Sequence, residues 1–251
     1  PNRKVDVLEV MDFMRDHLEG TELDMSKDPG AGPYECPYRW RPMSFEVDGK
    51  EYVHERATAT QQTGFTFVSQ SRSWLPDAVG GILWFGVDDA ASTVYFPMYS
   101  CSTRVPHAYA VGNGSMMEFT NKAAFWVFNQ VTNFAYTRYN LIHPEIRAKQ
   151  VALEKQYVNF VQMIDAGAKE MLAQDKESAI KFITDFSCRT GNHLVDTWRD
   201  FYGYLFCKFM DGNVKIAIPG EKNPKVEQPT LPEWYLRMII EQTGKKLEVV
   251  E

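Results

Sequence analysis

Arg56 opens a run of side chains able to hold a small polar ligand: Thr58, Thr60, Gln61, Gln62 and Thr63 follow it, then Phe65 and Phe67. The run reads as the head of a strand, and residues 82–87, almost wholly apolar, read as a second strand beside it. Polar side chains at the head of one strand, next to a dry partner, suit a pocket built on a buried sheet. A buried arginine facing that pocket would grip a carboxylate with two parallel N–H donors; an ordinary salt bridge is the other reading of Arg56. Strand side chains alternate between faces, so at most two of Gln61, Gln62 and Thr63 can line the same pocket. Arg39 and Arg41, flanked by Tyr38 and Trp40, could clamp an anion or stack on those rings and pin their own loop.

Other residues carry weaker signals. His17 stands beside Asp16 and Glu19 and could be a general base or one metal ligand, although no second His is close in sequence; near a helix end and Gly20 it is expected instead to bond backbone carbonyls. Asp88 and Asp89 could do acid–base work or bind a cation, but a solvated turn after a strand is the commoner outcome. Asn129 and Asn133, one helical turn apart, are expected to satisfy backbone groups. Cys36, Cys101, Cys188 and Cys207 include no C-x-x-C pair, and their spacings do not suit a zinc site. A disulfide between Cys188 and Cys207, placed on adjacent helices, stays open. No nucleophile motif, P-loop or dinucleotide fingerprint occurs.

Composition narrows the classes. Of 251 residues, 44% are hydrophobic and 14% aromatic, enough for a sizeable core. A net charge of −6 with scattered Lys and Arg argues against nucleic acid or an anionic membrane as partner. No apolar run reaches the ~18 residues that span a bilayer.

The elements that must position these residues follow from periodicity. A helix is expected over 5–17, ended by Gly20, then a long irregular loop over 21–43 rich in Gly, Pro and aromatics. Residues 44–53 read as a hairpin turning at Asp48-Gly49, and strands are expected at 56–71, 80–87 and 92–99. Helices are expected over 121–140, from a first turn at Pro144 to Ala173, over 176–189 with Asp175 as cap, from an Asn192 cap to Met210, and over 232–243. The Pro- and Lys-rich stretch before the last helix is expected to wrap the surface. Strands first and helices afterwards imply an α+β fold rather than a doubly wound one.

A series of segments in order resembles the dipeptidase A family of cysteine peptidases. It runs through MRDHLEGTELDM (14–25), AGPYECPYRWRP (31–42), ERATATQQTGFTFVSQ (55–70), LPDAVGGILWFGVDDA (75–90), AAFWVFNQVTNFAY (123–136), LEKQY (153–157) and WRDFYGYLFCKFMDG (198–212). The resemblance implies an N-terminal-nucleophile (Ntn) hydrolase: an αββα sandwich that cleaves dipeptides with a cysteine exposed as the new N-terminus, its own α-amino group serving as base. It implies no cofactor, and as partners a dipeptide and the N-terminal part of the same protein; a homo-oligomer stays open. The family's chains are about twice this length and Pro1 is no nucleophile, so residues 1–251 are expected to be the C-terminal half, with the catalytic cysteine upstream. On this reading residues 1–110 are the sheet-containing part of the core, with the pocket loop at 21–43, and 111–251 are a helical C-terminal extension. Substrate-binding candidates are His17, Arg39, Arg41, Arg56, Gln61, Gln62 and Thr63. Two alternatives remain: a non-catalytic binding or assembly module, and an Ntn amidase acting on lipid-like or bile-acid-like amides, which a pocket of Phe65, Phe67 and Trp84 would favour.

Overall fold

The computed structural model describes residues 2–249. Helix α1 spans Val7–Phe13. Asp6 starts it through a capping box: its carboxylate accepts the Glu9 N–H, while the Glu9 carboxylate accepts the Asp6 N–H. The helix stops well short of residue 17, and Met11 is fully buried on its inner face. The loop over 21–43 is irregular apart from one 3₁₀ turn at Pro29–Ala31. Strands β1 (Ser44–Val47) and β2 (Lys50–Val53) form the expected hairpin. Asp48 and Gly49 both take positive φ, 51° and 74°, which gives the turn a twist matching that of its strands.

The central sheet is three-stranded and antiparallel, in the order β3 (Phe65–Ser71), β4 (Gly81–Val87), β5 (Phe96–Tyr99). Val68 pairs with Trp84, and Trp84 with Pro97. β3 begins at Phe65, not at residue 56, so the polar run lies outside the ladder. Thr60 to Thr63 instead close a turn, with the Thr63 N–H (3.1 Å) and its hydroxyl (2.8 Å) both donating to the Thr60 carbonyl. Hydroxyl side chains that bond their own backbone compete with the ladder in this way, and the rule of alternating faces therefore does not govern Gln61, Gln62 and Thr63. One face of the sheet, carrying Val68, Ile82, Trp84 and Tyr99, is buried. On the other, Phe65 and Phe67 of β3 are 61% and 48% exposed. A short helix α2 (Asp77–Gly80) joins β3 to β4.

Three helices pack on this sheet: α3 (Ala124–Tyr136), α4 (Tyr139–Leu172) and α5 (Lys176–Phe209). α4 starts a turn earlier than expected, so Pro144 lies inside it and not in its first turn. The two helices expected over 176–210 are one, of 34 residues. Asn192 does not cap; its Oδ1 accepts the Ala108 N–H at 3.2 Å. Gly191 lets the helix pass close to its neighbours: a Cβ there would lie 2.6 Å from Pro106 and 2.8 Å from Phe96. Cys188 and Cys207 share this helix, roughly 28 Å apart along its axis at 1.5 Å rise per residue, and all four cysteines are free. Asp175 caps α5 as expected, accepting from the Glu177 and Ser178 N–H groups. Beyond it lie a small hairpin missed in the sequence, β6 (Val214–Ile216) with β7 (Lys225–Glu227), and helix α6 (Glu233–Thr243).

One apolar cluster joins sheet and helices across residue 110. It runs from Met11 through Val68, Ile82 and Trp84 to Phe128, Ile183, Trp198 and Phe209, with Phe128 stacked on Trp198 at 5.1 Å. No helix among the described residues is long and apolar enough to cross a membrane.

Candidate functional site

Arg39, Arg41, Arg56, Gln61 and Gln62 come together with Tyr38, Met25 and Met43 around one narrow crevice, with about 20 Å³ of water-accessible space. Arg39 is its base rather than a free cation. Its Nη2 donates to the Met25 carbonyl (2.7 Å) and to the Asp28 carboxylate, and its Nη1 to the carbonyls of Cys36 (3.2 Å) and Tyr38 (3.0 Å). The guanidinium thus pins the 25–39 loop to itself. Gly30 is required there, since a Cβ would lie 2.7 Å from Arg39 Nε. Gln61 Nε2 donates to the Arg39 carbonyl, and Arg41 Nε donates to Gln62 Oε1 at 2.6 Å. Arg56 is exposed, and among the described residues its guanidinium has no hydrogen-bond or ion-pair partner. Thr63 bonds only its own turn and lies outside the crevice.

His17 lines a different, open cleft of about 720 Å³ with Asp12, Arg15, Asp16, Glu19, Tyr139, His143 and Arg147. The backbone carbonyls expected as its partners are not used. Its Nδ1 meets Glu19 Oε1 at 3.1 Å, and Glu19 Oε2 accepts the His17 N–H at 3.0 Å. The bond to His17 holds the Glu19 carboxyl down at about 2. His17 is buried, edge-on to the Tyr38 ring at 4.7 Å, and its Nε2 has no partner. In the same wall, burial pushes His143 down to about 4, so the ring is neutral at physiological pH, with Nε2 3.1 Å from the Ala91 carbonyl.

Asp88 and Asp89 depart furthest from expectation. Neither is a solvated turn residue: they are 1% and 0% exposed. Asp89 Oδ2 accepts the hydroxyls of Tyr38 and Tyr136 (2.9 Å), and its Oδ1 accepts the Ala91 N–H at 3.1 Å. One carboxylate thereby ties the pocket loop, α3 and its own turn together. Asp88 takes a left-handed φ of 68°. Its Oδ1 accepts Asn129 Nδ2 at 2.9 Å, while its Oδ2 is buried without a partner. Burial pushes the Asp88 carboxyl up to about 7. Asn129 thus serves a carboxylate and not a backbone group, whereas Asn133 does bond backbone, donating to the Asn129 carbonyl. A signal was present in the sequence: these are the only charged residues between Asp77 and Arg104.

Two buried ion pairs also escaped the sequence reading. Arg15 Nη2 donates to Glu154 Oε1 at 2.5 Å, and the same oxygen accepts the Tyr95 N–H at 2.9 Å. Arg72 reaches the Val79 and Gly80 carbonyls and the Asp165 carboxylate, whose other oxygen accepts the Tyr99 hydroxyl at 2.6 Å. Both pairs fasten α4 to the sheet region. Among the described residues no group of three or more His, Cys, Asp or Glu side chains could hold a metal ion. Burial pushes the thiols of Cys36, Cys101 and Cys188 up, away from the thiolate form that attacks carbonyl carbon.

The chain is α+β, with helices and small antiparallel sheets around a polar crevice and buried carboxylates. The model of Peptidase family C69 matches residues 1–152, more than half of the chain, and the chain belongs to this family, the dipeptidase A family its motifs resemble. The match places the protein among the peptidases. None of the curated proteins matches the chain.

Proposed function

We propose that the intact protein is a cysteine-type dipeptidase of the Ntn class, and that this chain supplies its scaffold and one wall of its substrate pocket. The observation that carries the reading is Arg56: an unpaired guanidinium at the rim of a crevice it shares with Arg41 and Gln62, in a member of a peptidase family. A dipeptide presents a free carboxylate close to its scissile bond, and a guanidinium is the side chain best matched to it. Arg39, fully committed to Met25, Cys36, Tyr38 and Asp28, is the poorer candidate. The nucleophile is the N-terminal cysteine that the family resemblance implies, lying upstream in the N-terminal part of the protein. The raised thiols of Cys36, Cys101 and Cys188 support a nucleophile elsewhere.

The half-open sheet supports the same reading. Phe65 and Phe67 project from a face that a second sheet layer, contributed by the N-terminal part, would cover to complete a sandwich. The amidase alternative loses one of its three pocket residues. Trp84 is 1% exposed and its Nε1 donates to Gln70, so it packs the core and does not face a ligand.

Arg56→Ala in the intact enzyme is expected to raise KM for dipeptides roughly 10- to 100-fold, the scale of one lost charged hydrogen bond. Carboxyl-amidated dipeptides should be hardly affected. Steady-state kinetics on both substrate types checks this, and equal losses on the two would sink the carboxylate role.

A further inference from the structure

The 88–93 turn is a hub. Besides the Tyr38 and Tyr136 hydroxyls on Asp89, its Ala91 carbonyl accepts from Gln150 (2.8 Å) and meets His143 (3.1 Å), and its Thr93 carbonyl accepts from Gln150 (2.5 Å) and Arg15 (3.4 Å). Asp88 is the carboxylate in it with an unmet bond. Among the described residues its buried Oδ2 has no well-aligned donor, since the Thr132 hydroxyl that faces the carboxyl donates to the Phe128 carbonyl at 3.1 Å, and its backbone is held in the left-handed region, which a non-glycine residue adopts at a cost. Among the described residues the groups that bond to it or act on its charge are few. They are Asp89 on the same turn, Asn129, Thr132 and Tyr136 on α3, and the Gly64 carbonyl ahead of β3, which accepts the Asp88 N–H. None of them is a cation, and burial keeps Tyr136 in its neutral form. Asp89 already holds three donors and has no need of a shared proton. An unpaired carboxylate in such a place takes up a proton rather than stay charged.

We propose that Asp88 is a protonation latch: its neutral carboxyl seats the 88–93 turn, and loss of the proton loosens the turn together with the 34–41 segment tied to it. The tie is Tyr38, whose hydroxyl sits on Asp89 one residue from Asp88. Trp40 leans on Tyr136 at 5.8 Å, and Arg39 and Arg41 follow Tyr38 in the chain, so the crevice wall goes with the turn. The seated form holds its proton up to about pH 7, so seating weakens as pH rises through neutrality.

Amide hydrogen exchange on the full chain, at about pH 6 and about pH 8 and corrected for the intrinsic chemical rate, tests this. Protection over 34–41 and 88–93 should fall roughly tenfold in the wild type as the proton is lost. It should stay level in Asp88→Asn, with α5 unchanged in both proteins. The same pH profile in wild type and variant overturns the latch. Should the variant fail to fold, difference infrared spectroscopy on wild type carrying isotope-labelled aspartate decides. A protonated-carboxyl band lost in step with protection supports the latch, and its absence at the lower pH overturns it.

Discussion

Glu154→Ala is expected to lower the unfolding free energy by about 3–5 kcal/mol, the scale for removing one partner of a buried ion pair. Glu154 is 2% exposed, and the Arg15 side chain against it 7%. Burial pushes the Glu154 carboxyl up and the Arg15 guanidinium offsets part of that push. Truncation leaves the guanidinium inside with Asp12, the distant Thr93 carbonyl and the face of the Tyr95 ring, and orphans the Tyr95 N–H. The pair is worth less than its breakage suggests, because both ions were desolvated to form it. The double variant Arg15→Met/Glu154→Leu should therefore be more stable than Glu154→Ala alone. Denaturant unfolding of the wild type and the two variants measures this. A loss below about 1 kcal/mol for Glu154→Ala would mean that water reaches the pair, against the burial described.

Asp88→Asn should act in the opposite direction, and only above acid pH. The folded carboxyl sits at about 7 against an ordinary value of 3.8. Below about pH 4 the group is protonated whether the chain is folded or not, and it contributes no pH dependence. Between the two values the unfolded chain gives up the proton and the folded one keeps it, so wild-type stability falls with rising pH. Above about 7 the accumulated loss levels off at roughly 4 kcal/mol, from 1.36 kcal/mol per unit. Asparagine carries no charge to desolvate, accepts the Asn129 amide equally well and tolerates a left-handed φ. The variant's advantage should be absent near pH 4 and approach the full amount near pH 8. Unfolding curves at the two pH values check it, and an advantage that does not change with pH would contradict a buried titrating Asp88.

The periodic parts of the fold were legible in the sequence, and the long-range polar contacts were not. Asp48-Gly49, the Asp175 cap and the apolar face of α3 are local patterns, read within one turn or one helix. The sequence misled where a tertiary contact reversed a local preference. Asn192 resembled a helix cap, but its amide oxygen accepts the remote Ala108 N–H and the helix runs on through it, with Gly191 fitting against Phe96 and Pro106. Asp88-Asp89 resembled a solvated turn, yet Tyr38, Tyr136 and Asn129 arrive from positions remote in the chain to satisfy them. Arg39, Arg41, Arg56, Gln61 and Gln62 do meet around one crevice, although they stand on loops and not on a strand. Arg15, Glu154, Arg72 and Asp165 carried no signal, because each is an ordinary charge on an amphipathic segment until its partner is known.

Denaturing intact-mass analysis of the active enzyme, purified natively, tests the proposed role of this chain most directly. The expected result is a polypeptide that begins with cysteine in the same particle, either as a second chain or as the start of one longer chain, with activity lost on alkylating that cysteine. A folded, monomeric species of this chain's mass alone, hydrolysing dipeptides with no N-terminal cysteine present, would contradict it.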